Sequence, residues 1–122
     1  MIMRFVVRLC IVAVFPFLLA TPTFAAEPLE KTIAYLLHQV EAANATFIRN
    51  GTAHTPAEAA AHIKAKYEHF KSQIKTPEDF IRLSASKSLL TGKPYLVRSP
   101  DGKEMPLDAW LTEALQQHQT SN

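Results

Sequence analysis

Arg49 and Arg98 are the residues with which this chain could most directly do chemistry. Each closes a short run containing two apolar residues and stands just before a turn, Asn50-Gly51 in one case and Ser99-Pro100-Asp101-Gly102 in the other. A guanidinium presents a planar fork of N–H donors that grips a carboxylate or phosphate through two parallel bonds. If the two corners pack by an approximate two-fold, Arg49, Asn50 and Arg98 form a rim that holds a small anion. The plainer arrangement pairs each arginine with a neighbouring acid, such as Glu58 or Asp108.

Other chemistry-bearing residues are weaker candidates. Glu58, His62 and His69 share one side of a predicted helix, away from its apolar stripe. Carboxylate and imidazole are zinc ligands, but the two histidines lie two turns apart, about 10 Å along the axis, too far to share an ion. Glu58 with His62 makes half a site and no second pair is present, so no metal set is predicted and this face is expected to be solvated. Ser84-Ala85-Ser86-Lys87 has the serine-to-lysine spacing of penicillin-binding enzymes without their companion motifs. Ser84 is expected to bond the carbonyl one turn earlier. The alternative to a binding module is a small hydrolase or transferase using His62, Lys66 and Ser86, which would need one concave pocket bringing them within hydrogen-bond reach. Lys66, Lys87, Lys93 and Arg98 could form a weak cationic patch for acidic cell-wall or lipid headgroups. The three glycines do not cluster into a phosphate loop. No catalytic residue and no cofactor is predicted.

These side chains must be positioned by a small set of elements. Leu29, Ile33, Leu36, Leu37 and Val40 recur at helical spacing, so a first helix is predicted from Leu29 to about Ala43. Thr46-Phe47-Ile48-Arg49 reads as a strand, Asn50-Gly51 as a tight hairpin turn, and Thr52 to His54 as its return. Thr55-Pro56-Ala57-Glu58 and Thr76-Pro77-Glu78-Asp79 are helix starts: the threonine caps, and the proline sits where no N–H is needed. Ala60, Ile63, Tyr67, Phe70 and Ile74 form the buried stripe of the second helix; Phe80, Ile81 and Ser84 face inward from the third. Pro94 to Arg98 and Lys103 to Met105 form a second hairpin, and a last helix from Leu107 to Gln117 buries Trp110, Leu111 and Leu115.

An internal echo supports this layout. Phe47-Ile48-Arg49, a turn, then Pro56-Ala57-Glu58-Ala59 resembles Leu96-Val97-Arg98, a turn, then Pro106-Leu107-Asp108-Ala109. The expectation is an α+β fold in the order α-ββ-α-α-ββ-α, with two hairpins joined edge to edge in one antiparallel sheet and helices on one face.

The ends and the composition set the remaining bounds. Residues 1–25 read as a secretory signal: Arg4 and Arg8, an apolar run from Leu9 to Ala20, and small residues around Ala25. That run is short of the roughly 20 residues a spanning helix needs, so cleavage near Ala25 and a periplasmic location are expected, with no membrane span afterwards. Residues 26–122 then form a single small domain. Cys10 is the only cysteine and leaves with the signal, so no disulfide can help. Apart from Arg4 and Arg8, the chain has 11 basic and 11 acidic residues. A balanced charge argues against nucleic acid as a partner.

Thr46 to Gly51, Glu58 to His62, Lys66-Tyr67, Ile74 to Ile81, Ala85 to Ser88, Gly92 to Tyr95 and Trp110-Leu111 together resemble the exported bacterial proteins of domain-of-unknown-function family 5329. The resemblance covers nearly the whole chain after the signal. It implies a small protein with a signal peptide from a Gram-negative bacterium, and no activity to carry over. It also implies cysteines in other members at the places held here by Ala45 and Ser99. A disulfide there would tie the two hairpins together and, on the rim reading, place Arg49 near Arg98. The function expected on all these grounds is a non-enzymatic exported module that binds a periplasmic protein or a small anion.

Overall fold

The computed structural model describes residues 27–121; the expected signal peptide, residues 1–25, lies outside the described residues. Four helices and four strands follow in the order α1 (Leu29–Glu41), β1 (Thr46–Arg49), β2 (Thr52–His54), α2 (Pro56–Phe70), α3 (Pro77–Ser84), β3 (Leu96–Arg98), β4 (Glu104–Pro106) and α4 (Leu107–Thr120). This is the predicted α+β architecture. Thr55 and Thr76 cap α2 and α3 by accepting from the backbone N–H of Glu58 and Asp79, with Pro56 and Pro77 in the first turns. Asn50 and Gly51 adopt φ of 52° and 76°, the left-handed values that a two-residue hairpin turn of this twist requires.

Several boundaries differ from the periodicity reading. Helix α2 ends at Phe70 and gives way to a 3-10 turn over Lys71–Gln73, so Ile74 joins the core from beyond the helix and not as its last stripe residue. Strand β3 begins at Leu96, two residues later than predicted, because Pro94 and Tyr95 belong to a separate small loop. Ser84 is fully buried, but its hydroxyl finds no partner among the described residues, contrary to the bond expected one turn back.

The sheet order is β2-β1-β3-β4, antiparallel throughout. The two hairpins therefore meet through β1 and β3 and are related by a pseudo-two-fold axis through their central pair. That pair is Phe47 opposite Val97, both pointing into the core at 3% and 2% exposure. The internal echo is real in architecture but one residue out in register: it aligned Ile48, not Phe47, with Val97. The same slip recurs downstream, where Pro56 and Leu107 open the two equivalent helices. Since strand side chains alternate between faces, a one-residue slip moves a side chain to the other side of the sheet.

The core lies between the sheet and the helices. Ile33, Leu36 and Val40 from α1, Ala60 and Ile63 from α2, Phe80 and Ile81 from α3, and Leu111 and Leu115 from α4 close around Phe47 and Val97. Fully burying a side chain the size of Phe80 or Leu36 stabilises the fold by roughly 1.5–3 kcal/mol. His118 of α4 stacks on Tyr35 of α1 and bonds Glu27, tying the two terminal segments together. Among the described residues, no helix is long and apolar enough to cross a membrane.

Candidate functional site

Strand alternation carries Arg49 to the helix-covered side of the sheet, the same side as Phe47. There it meets His62, whose Nδ1 and Nε2 lie 2.5 and 3.0 Å from Arg49 Nη1. Lys66 follows His62 by one turn of α2, so both side chains project toward the same place. Tyr95 completes the group from just before β3, its backbone fixed by donating to Ser86 O and by accepting from Leu107 N. Its ring is buried and meets the His62 ring edge-on at 5.8 Å.

These four residues, with Asn50, Thr52, His54, Ser88, Leu89 and Leu90, line an open cleft of about 430 Å³. Lys66 Nζ donates to the carbonyl oxygen of Lys87 at 2.8 Å and to Tyr95 Oη at 3.1 Å, and lies 4.9 Å from the Tyr95 ring centroid. His62 Nε2 is 3.2 Å from the same Tyr95 oxygen. A neutral imidazole with its proton on Nε2 accepts from Arg49 at Nδ1 and donates to Tyr95, and the 3.0 Å approach of Arg49 Nη1 to Nε2 is then not a hydrogen bond. The Tyr95 oxygen then accepts twice, and its own proton has no acceptor among the described residues.

The electrostatics are one-sided. Burial, followed by the charges of Arg49, Lys66 and His54, pushes His62 down to about 4, so the ring is neutral at pH 7. Burial, reinforced by Arg49, lowers the Lys66 ammonium below its ordinary range. Burial raises the Tyr95 phenol despite the opposing pull of Arg49. Among the described residues no ion pair involves Arg49 or Lys66. Glu58, one turn before His62 on α2, is held by His54 and Thr55, and the hydrogen bond from His54 keeps its carboxyl below the usual range. Among the described residues, two cations and a phenolic donor thus converge with no carboxylate in ion-pair contact with either cation, although Glu58 lines an adjoining depression with Arg49, His62 and Tyr95.

The predicted site residues divide. Arg49 and Asn50 are brought to this cleft. Arg98 is not: it stands opposite Thr46 on the other face of the sheet, at the far end of the strand pair from Arg49, and bonds Glu104 at 2.7 and 2.9 Å. The shared arginine clamp is therefore not assembled. The same antiparallel register puts Ala45 and Ser99 at the next facing positions. A link between those positions would lie at Arg98's end of the strand pair, away from Arg49, and so would not bring the two arginines together.

Ser86 also lies elsewhere. Its hydroxyl donates to Ile81 O at 2.9 Å, and it lines a different depression beside α3 and α4. The His62–Lys66–Ser86 set is not brought together. His62 is half-buried in the cleft instead of lying on a solvated face, while His69 is exposed. Tyr95 and Ser88 were missed as site residues, because an aromatic beside a strand reads as core and a lone serine reads as loop. The available signal was the spacing of Arg49, His62 and Lys66 on elements that a tight Asn-Gly hairpin must bring side by side.

The profile described as "Family of unknown function (DUF5329)" matches residues 27–119. A relative from Salmonella typhimurium strain LT2, called uncharacterized protein YfeK, is 48% identical over 50 residues. That match covers 41% of this chain and 42% of the relative, so under half of the relative's length is matched. No solved structure matches the chain.

Proposed function

The chain belongs to the family of unknown function DUF5329, and we propose that it is an exported, non-enzymatic binding module whose cleft holds a small anionic group such as a phosphate or carboxylate. Export is supported by the basic start, short apolar run and small-residue boundary of residues 1–25. Recovery from the periplasmic fraction of a chain beginning near Ala26 is the expected result; intact precursor in the cytoplasm would refute it.

One observation carries the binding reading. Lys66 is a nearly buried ammonium that donates to a carbonyl and a phenol, with Arg49 lining the same cleft and, among the described residues, no acid in ion-pair contact with either cation. An uncompensated buried charge is costly to a fold, and an anion entering from solvent relieves it. Arg49 has guanidinium N–H groups beyond the His62 contact, Lys66 has a third proton, and the Tyr95 hydroxyl has its own. Together these donors match the acceptors of an oxyanion.

The test is thermal unfolding in inorganic phosphate or acetate against chloride at matched ionic strength. An anion present at 100 times its dissociation constant stabilises the fold by ~2.7 kcal/mol, a rise in melting temperature of several degrees. Equal melting in all three salts would count decisively against the reading.

A further inference from the structure

Leu89 and Leu90 are large hydrophobic side chains left in water, at 68% and 94% exposure. They occupy the turn of a short loop closed by a β-bridge between Lys87 and Pro94. Ser88 N donates to Lys93 O at 3.0 Å, and Gly92 N to Ser88 O at 2.9 Å. From the side, Thr91 Oγ1 donates to Asn50 Oδ1 at 2.6 Å, and Asn50 Nδ2 to Ser88 Oγ at 3.3 Å. The loop is thus bonded at its stem and along its flank, and the leucines are held outward by a built structure.

Their surroundings are cationic. Lys87 and Lys93 flank the turn and are exposed. Leu89 and Leu90 also line the cleft into which Arg49 and Lys66 open. Apolar tip, basic collar and anion-hungry cleft lie together on one side of the molecule. A small ligand within the cleft cannot cover a leucine that is 94% exposed. A bilayer surface covers it and offers phosphates just above its apolar layer, matching the order of groups here.

We propose that this loop docks the domain on an anionic lipid bilayer. Leu89 and Leu90 enter the acyl boundary, Lys87 and Lys93 remain at headgroup level with their stems along the apolar layer, and a lipid phosphate occupies the Arg49–Lys66 cleft. The seated phosphate rests on the anion-binding reading above; the leucine contact does not.

The experiment is co-sedimentation of the purified protein, in the form the cell accumulates, with two kinds of vesicle. One is phosphatidylcholine alone; the other is phosphatidylcholine mixed with phosphatidylglycerol. Binding to the mixed vesicles is expected to be about tenfold stronger and to weaken with added salt. The Leu89→Ser, Leu90→Ser double variant alters exposed positions only and is expected to lose about tenfold in vesicle binding; the melting shift in inorganic phosphate is read in the parent protein. Absent or charge-indifferent vesicle binding, or binding the double variant retains in full, overturns the docking; a phosphate shift that persists in that case leaves the cleft reading standing. If phosphate gives no shift yet vesicles bind through the leucines, the seated phosphate is overturned and the leucine contact stands.

Discussion

Lys66 Nζ lies 3.1 Å from the hydroxyl oxygen of Tyr95 and 2.8 Å from the carbonyl oxygen of Lys87, so a nearly buried ammonium is met by neutral acceptors alone. Neutral acceptors satisfy its hydrogen bonds but do not cancel its charge. The strain of that arrangement should be measurable in the absence of any ligand.

Replacing Lys66 with Met keeps most of the aliphatic volume and removes the charge. The variant is expected to be more stable than the parent at pH 7 by about 1 kcal/mol, with some of the gain offset by the lost bond to the Lys87 carbonyl. The sign of the pH effect follows from the lowered Lys66 value. Between the folded value and the unfolded one the unfolded chain binds more protons, so the parent gains stability as pH rises toward the ordinary lysine range. Urea unfolding at pH 7 and pH 10 checks this: the advantage of the Met variant should shrink with pH, and its response to phosphate should be gone.

His62 gives an independent handle in acid. Its value of about 4 in the fold, against 6.5 for the free side chain, means the folded ring resists protonation. The parent should therefore lose stability as pH falls from 6.5 toward 4. The full shift corresponds to about 3 kcal/mol, and solvent reaching the half-buried ring reduces this to about 1–2 kcal/mol. Carboxylates with lowered values, Glu58 and Asp79 among them, add their own acid loss, but they do so in a His62→Gln variant as well. The difference between the two proteins isolates the imidazole. In the parent an anion bound beside the ring should raise the His62 value, visible in its NMR titration, so anion affinity should increase as pH falls through that raised value.

How far the sequence reveals this site depends on which interactions are local. The caps at Thr55 and Thr76 and the Asn50-Gly51 turn are fixed by a few adjacent residues, and they stand where their types predict. The echo between the hairpins correctly joins them in one sheet, yet Arg49 and Arg98 look alike in sequence and end on opposite faces. The pairing of Phe47 with Val97 is chosen by the shared core, which no short motif contains. The turns also differ, a two-residue loop in one hairpin and residues 99–103 in the other, so aligning the arginines hides the slip. The meeting of Lys66 with Tyr95 is a tertiary event of the same kind. Its components were legible as a basic residue bordering a stripe and an aromatic before a strand, but not as neighbours.

Arg49 and Arg98 accordingly make a discriminating pair of substitutions. Arg49→Gln removes a cation from the cleft and is expected to weaken anion binding about tenfold or more, consistent with the 1.5–3 kcal/mol of a hydrogen bond to a charged group. It should also raise the His62 value, because Arg49 contributes to lowering it. Arg98→Gln breaks an exposed pair with Glu104, a change worth at most about 1 kcal/mol, and should leave anion affinity unchanged. Calorimetric titration with phosphate distinguishes them. Equal losses would require both arginines to reach the ligand, which the register forbids.

The final prediction concerns Asn50, which serves both the hairpin turn and the leucine loop. Its backbone adopts φ of 52°, a value glycine accepts freely. Asn50→Gly therefore keeps the turn while deleting the bonds to Thr91 and Ser88. The expected cost is about 1 kcal/mol of stability, with faster amide exchange confined to residues 88–92. Gly51→Ala is the complementary change. Nothing lies within 4 Å of the added methyl, so no clash arises, but φ of 76° strains an L-residue by about 1–2 kcal/mol. That cost should appear as fraying of β1 and β2, with the loop bonds to Asn50 kept. If Asn50→Gly left exchange at 88–92 unchanged, the loop would be held by its own stem alone, and Asn50 would have no part in presenting Leu89 and Leu90.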